Sequence, residues 1–320
     1  MKILGYLVVA LVIIIVGAMT IPITLPVISV SAEHLFYLGP ISITNSLLTS
    51  WIVVIIATVL FFVGTSNMQL RPSGLQNFLE WVVEGIYNLT VNVAGVENLK
   101  RFPAFFTVPA TIFIYVIISN WFALFPGLPL LGVGLCQEIH HEENVEGGHS
   151  TQLLGSVVYA DSFADEEEHK STSTCAEGSH LVPFVRSPSA DLSNTFALAI
   201  ITQLLAQYFG FAALGSGYLS KFLIIKPEKG AMAIIDFLVG LLEFVSEFIK
   251  VVAYTFRLFG NIFAGEVTVF VLIFFMPLLG ALPMLGFEIF VGFIQAFVFY
   301  ILSVAFYTIA VKPHDHEEAH

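Results

Sequence analysis

The chain has 320 residues, of which 57% are hydrophobic and only 11% charged, and its mean hydropathy is +0.88. Such a composition cannot cover a single soluble core with polar surface, so it excludes an ordinary soluble domain. The formal net charge of −12 argues against a nucleic-acid partner, and most of the charges lie between the apolar runs rather than within them.

Apolar runs at 3–28, 46–64, 103–128, 191–214, 231–275 and 281–311 each reach or exceed the roughly 20 residues that carry a helix across a hydrocarbon core. They predict an all-α, polytopic protein surrounded by membrane lipid. Its parts are an N-terminal transmembrane segment over 1–30 and transmembrane helices over 31–131, which include an amphipathic helix at 73–95. An acidic insert over 132–190, a transmembrane helix and long hairpin over 191–312, and a tail over 313–320 complete the chain. Lys2, Arg71, Lys100, Arg101, Lys221, Lys226, Lys229 and Lys312 fall on one side, and only Lys170 and Arg186 on the other. The positive-inside rule then makes both termini and the helix 73–95 cytoplasmic and the insert 132–190 extracytoplasmic.

The first run follows Lys2 and has a secretory signal as its alternative. Its apolar stretch continues through Val16 to Val27 with no small-x-small cleavage site before Ser31, which favours a retained helix. Between the second and third runs, Ser73 and Gln76 have capping-box spacing, and Leu75, Phe78, Leu79, Val82, Ile86, Leu89 and Val93 recur at helical spacing. With Glu80 and Glu84 on its wet side, this helix either lies in the cytoplasmic interface or packs as a linker on the bundle.

Residues 132–190 carry ten acids, two basic residues and five histidines, with clusters at His140-His141-Glu142-Glu143 and Asp165-Glu166-Glu167-Glu168-His169. A solvated external loop accounts for such a tract, and metal binding is the minority alternative. Cys136 and Cys175 both fall here, on the side where disulfides persist, which makes them candidates for a bridge. No repeat, zinc spacing or phosphate-cradling glycine loop is present, so no cofactor or metal is expected.

The run 231–275 is the informative one. Glu243, Glu247, Lys250, Tyr254, Arg257 and Asn261 follow one another at intervals of 4, 3, 4, 3 and 4 residues and so form a single helical stripe. Polar groups in a membrane helix line a pathway or an interface unless partners satisfy them. Glu243, Glu247 and Lys250 also suit a bland role near the cytoplasmic surface, with Lys250 neutralising Glu247 or Glu243. Arg257 does not: its stripe offers no acid within one turn, and its guanidinium stays charged. A straight helix over 231–275 exceeds twice the thickness of a hydrocarbon core, so the run is either tilted or broken near Gly240, Gly260 or Gly265. Pro277 and Pro283 mark the turn into the last run. In an antiparallel hairpin, one register brings Arg257 level with Gln295 and Glu266 level with Glu288.

The segment Arg257-Leu258-Phe259-Gly260-Asn261-Ile262-Phe263-Ala264-Gly265-Glu266 resembles the signature of the ATP synthase subunit a family, the membrane stator and proton channel of F-type enzymes. Pro188-Ser189-Ala190-Asp191 with Thr195, and Gln295-Ala296-Phe297, are similar to two further family motifs, and the resemblance spans about 35–312. It implies a long oblique hairpin packed on a ring of c subunits, two offset aqueous half-channels, a b-subunit peripheral stalk and a bacterial plasma membrane. Ion transport then drives a rotary motor, and the subunit is not itself catalytic. By the same resemblance Arg257 takes the essential arginine position. Glu266, Glu288, Asn261 and Gln295 take external half-channel positions, and Glu243 lies on the cytoplasmic side. Lys250, Asn120 and Asp191 match further polar positions.

Three departures stand out. Relatives often pair a carboxylate with a histidine where this chain has Glu266 and Glu288, Ala123 replaces an acidic residue of some relatives, and the insert and first run are additions. A secondary transporter that binds an anionic solute through Arg257 is the rival class. It requires inverted repeats, and no second segment resembles 250–266.

Overall fold

The computed structural model describes residues 32–38, 41–124, 134–138, 179–183, 185–222, 232–275 and 281–312. The expected first membrane segment, the tail 313–320 and most of the insert, including Cys175 and hence the candidate bridge to Cys136, lie outside the described residues.

Among the described residues the apolar runs are helical, as their length and composition require. The helices are α1 (Asn45–Thr65), α2 (Leu75–Ala94), α3 (Val96–Arg101), α4 (Ala104–Ala123), α5 (Leu192–Leu214), α6 (Met232–Phe275) and α7 (Ala281–Val311). Two 3-10 turns, Pro188–Ala190 and Gly215–Lys221, flank α5. Spans within Asn45–Thr65, Ala104–Ala123, Leu192–Leu219 and Pro283–Val311 are each long and apolar enough to cross a membrane. Phe62 at 73% exposure and Leu204 at 63% put bare hydrocarbon on the outside, as surfaces that meet lipid or a partner subunit do.

Among the described residues, two small antiparallel ribbons accompany the helices, an addition that apolar periodicity did not foresee. His34–Leu38 (β1) pairs with Ile41–Thr44 (β2), and Gly134–Glu138 (β3) pairs with Ser179–Pro183 (β4), bringing the two ends of the insert together. Cys136 lies opposite Leu181 in the second ribbon.

Local chemistry explains most helix ends. The Thr44 hydroxyl accepts the Leu47 N–H at 3.3 Å and so caps α1. Helix α3 has Glu97 in its first turn and Lys100 and Arg101 in its last, which suits the helix dipole. The expected capping box at α2 is not formed. Gly74, at φ 59°, occupies the N-cap and makes no side-chain cap, which displaces Ser73 from that position. Gln76 instead folds back on Gln69, accepting its N–H and donating to its carbonyl, both at 3.1 Å, and donates to Glu80 at 2.6 Å.

Helix α6 runs unbroken for 44 residues, about 66 Å at 1.5 Å per residue, so none of Gly240, Gly260 and Gly265 interrupts it. The alternative of a broken helix is thereby removed.

The described residues group into two compact units. The first takes those within 1–53, 119–191 and 261–292. Within it the end of α4 is fastened to α7: Trp121 Nε1 donates to the Ile289 carbonyl at 3.1 Å, and Asn120 Nδ2 to that of Gly292 at 3.3 Å. Gly292 permits this close approach, since a Cβ there would stand 3.1 Å from that of Asn120. The second unit takes those within 54–118, 192–260 and 293–320. Its centre is aromatic: Phe105 lies 4.7 Å from Phe209 and 5.6 Å from Tyr307, ring centre to ring centre. The Tyr300 hydroxyl donates to the Ile86 carbonyl at 2.7 Å and also meets Thr90, tying α7 to α2. Packing and interhelical hydrogen bonds of this kind hold helices together where lipid removes the hydrophobic drive between them.

Candidate functional site

Each unit holds one polar constellation. In the second unit the stripe on α6 changes character along its length. Glu247 is 8% exposed and Tyr254 4%, whereas Arg257 is exposed. Lys250 Nζ donates to Glu247 Oε1 at 2.8 Å, the neutralisation that their spacing suggested, and of the two acids considered the contact goes to Glu247. Glu243 is half-buried two turns from Lys250. Two side chains absent from the sequence reading complete this group: Gln203 and Gln207 of α5 both donate to Glu247 Oε2, Gln207 at 2.9 Å. Their spacing of four residues within an apolar run was the available signal.

Arg257 contrasts with these. Its guanidinium lies 6.0 Å from the centre of the Tyr254 ring, and it makes no ion pair among the described residues. Tyr254 is itself wedged edge-on against Phe299 and Phe306 of α7, with ring centres at 4.9 and 5.4 Å. Gln295 of α7 is 3% exposed. Arg257 is thus a permanent charge on a firmly packed helix, presented outward from the chain.

In the first unit the two expected glutamates come together. Glu288 is 3% exposed, and its carboxylate lies against Gly265, where any Cβ would strike it, so Gly265 gives the acid its place beside α6. Glu266 follows Gly265 directly in sequence and so lies in the same neighbourhood. What the spacing did not reveal is a cation in the group. Arg186, 7% exposed, places Nε 3.3 Å from Glu266 Oε2. The sequence alone puts Arg186 simply in the external insert. Its position two residues before Pro188, at the mouth of α5, was the available signal.

The same unit positions two other expected residues. Asp191 Oδ2 accepts from the Ser46 hydroxyl at 2.6 Å, joining the start of α5 to the start of α1. Asn120 is 2% exposed, and its Oδ1 has no partner among the described residues, nor have the buried hydroxyls of Ser119 and Ser189. Asn261, one turn beyond Arg257, is exposed.

Comparison with known proteins fits this geometry. The profile of the ATP synthase A chain family matches residues 47–308. The ATP synthase subunit a of Gloeobacter violaceus is 28% identical over 285 residues, covering 88% of this chain and 91% of that protein. The chain belongs to the ATP synthase subunit a family, and is thus a multi-pass, proton-translocating subunit of an ATP synthase membrane sector.

Proposed function

We propose that this chain is the stator half of a rotary proton motor, with Arg257 facing carboxylates carried by a ring of c subunits. The observation that carries this reading is the guanidinium of Arg257, exposed and without an ion pair among the described residues, on an apolar helix where Lys250 and Glu247 pair with each other. At 4 Å and an effective dielectric near 20, such a cation attracts an ionised rotor carboxylate by about 4 kcal/mol. A rotor site reaching Arg257 therefore gives up its proton before it passes. The same charge repels protons travelling straight across, so ions have to go round with the ring. One charge moving through 100 mV yields about 2.3 kcal/mol, and several together drive one synthesis step in the remote catalytic head.

Two half-channels serve this exchange. Glu266, Glu288, Asn261 and Gln295 line the external one, Glu243 belongs to the cytoplasmic side, and Lys250, Asn120 and Asp191 are further polar positions. The unpartnered Ser119, Asn120 and Ser189 oxygens favour a wet lining in the first unit, since buried polar atoms otherwise find partners. A b-subunit stalk and the remaining synthase subunits complete the assembly in a bacterial plasma membrane, with both termini cytoplasmic and 132–190 outside. Cys136 and Cys175 are joined there. Nonreducing mass mapping of protein prepared under alkylating conditions checks the bridge, and recovery of two free thiols ends that part of the proposal.

Passive proton conduction through the isolated membrane sector tests the relay. Glu266→Gln and Glu288→Gln each slow proton entry and alter its pH profile, while a histidine at one of the two positions is tolerated. Unchanged rate and profile in both Gln variants would sink the relay, and failure of the purified chain to bring down a c-ring would remove the motor reading altogether.

A further inference from the structure

Glu247 is not among the residues nominated by the family resemblance, yet both of its carboxylate oxygens are engaged inside the second unit. Lys250 takes Oε1 at 2.8 Å, and Gln207, at 2.9 Å, and Gln203 take Oε2. Gln207 is held in turn, since its Oε1 accepts from the Tyr218 hydroxyl at 2.8 Å. The Tyr218 ring fills the place that a side chain at Gly210 would need. Tyr218 is 1% exposed and Gln203 8%, so the carboxylate is fixed by buried groups. The Lys250 ammonium therefore has a counter-charge less than one helical turn away, and it lies 5.0 Å from the centre of the Phe306 ring.

We infer that Glu247 is a charge-balancing residue of the proton path, cancelling Lys250 so that Arg257 is the uncompensated cation on this stretch of α6. The inference rests on the role proposed for Arg257. Seven residues separate Lys250 from Arg257, about 10 Å along a helix. At that range and an effective dielectric near 20, a second unit positive charge disfavours a passing proton about tenfold. It also competes with Arg257 for the rotor carboxylate. Glu243 cannot replace Glu247, because it lies seven residues from Lys250 on the other side, again about 10 Å away.

The test uses membrane vesicles carrying the assembled complex, with passive proton conduction read after the catalytic head is removed. Glu247→Gln keeps the shape of the side chain and loses its charge, and lowers conduction about tenfold while the c-ring still co-purifies. Adding Lys250→Met removes the stranded cation and recovers most of that loss. A merely structural Glu247 predicts the opposite, a double variant at least as poor as the single one. Normal conduction in Glu247→Gln, or no recovery in the double variant, overturns the inference. Arg257→Ala run alongside separates the two readings: if it blocks ATP synthesis while Glu247→Gln conducts normally, charge balance alone fails.

Discussion

Two arginines stand among apolar helices in this chain, and their surroundings differ. Arg186 is buried in the first unit with Nε 3.3 Å from Glu266 Oε2. Arg257 is exposed in the second, over the Tyr254 ring, with no ion pair among the described residues. A buried charge must be paired or strongly hydrogen-bonded to be tolerated, which accounts for Arg186 within the chain itself. Nothing within the described chain does the same for Arg257. The comparison separates an arginine that organises a carboxylate within the chain from one whose proposed carboxylate partner lies on another subunit.

The largest effect should come from breaking the second arginine. Arg257→Ala or Arg257→Gln is expected to abolish proton-coupled ATP synthesis while the subunit still assembles, because its charge contacts little inside the chain. Synthesis assays and c-ring co-purification read the two quantities separately. Breaking the first arginine should instead be felt in stability. Arg186→Leu strands Glu266 and is expected to cost about 3–5 kcal/mol, seen as a lowered midpoint for thermal dissociation of the purified complex. Adding Glu266→Gln to that variant should restore part of the loss. If Arg186→Leu left stability untouched, the pair would not be the device described here.

Smaller effects sharpen the same contrast in the packing around each group. Gly210→Ala drives a methyl into the Tyr218 ring and should destabilise by about 1–3 kcal/mol, the usual range for overpacking. Gln76→Ala removes only exposed hydrogen bonds to Gln69 and Glu80, so a change of about 0.5 kcal/mol or less is expected. A larger effect would mean that the turn before α2 carries more of the fold than its exposure suggests.

How much of this was legible in the sequence follows from what each feature depends on. Helix positions depend on runs of apolar residues, and α1, α5, α6 and α7 lie close to the boundaries read from those runs. The proximity of Glu266 and Glu288 follows from one antiparallel register, and the packing of Glu288 on Gly265 agrees with it to within a residue. Pairing across distant segments is a different matter. Arg186 meets Glu266 from 80 residues away, and Gln203 meets Glu247 from 44, so no local period encodes either contact. The capping box failed for a local reason, since Gly74 at φ 59° takes the position that Ser73 needed. The ribbon of β3 and β4 was hidden because its strands are separated by most of the acidic insert.

Arg257 is proposed to act through a fixed, delocalised charge that cannot lose its proton, and not through packing. Arg257→Lys tests it most directly, since lysine keeps a positive charge but lacks the planar guanidinium fork and deprotonates far more readily. Proton-driven ATP synthesis should be measured in vesicles carrying the assembled complex, alongside c-ring co-purification. Assembly should be normal, with synthesis reduced to near background. Near-normal synthesis in Arg257→Lys would contradict the proposed role.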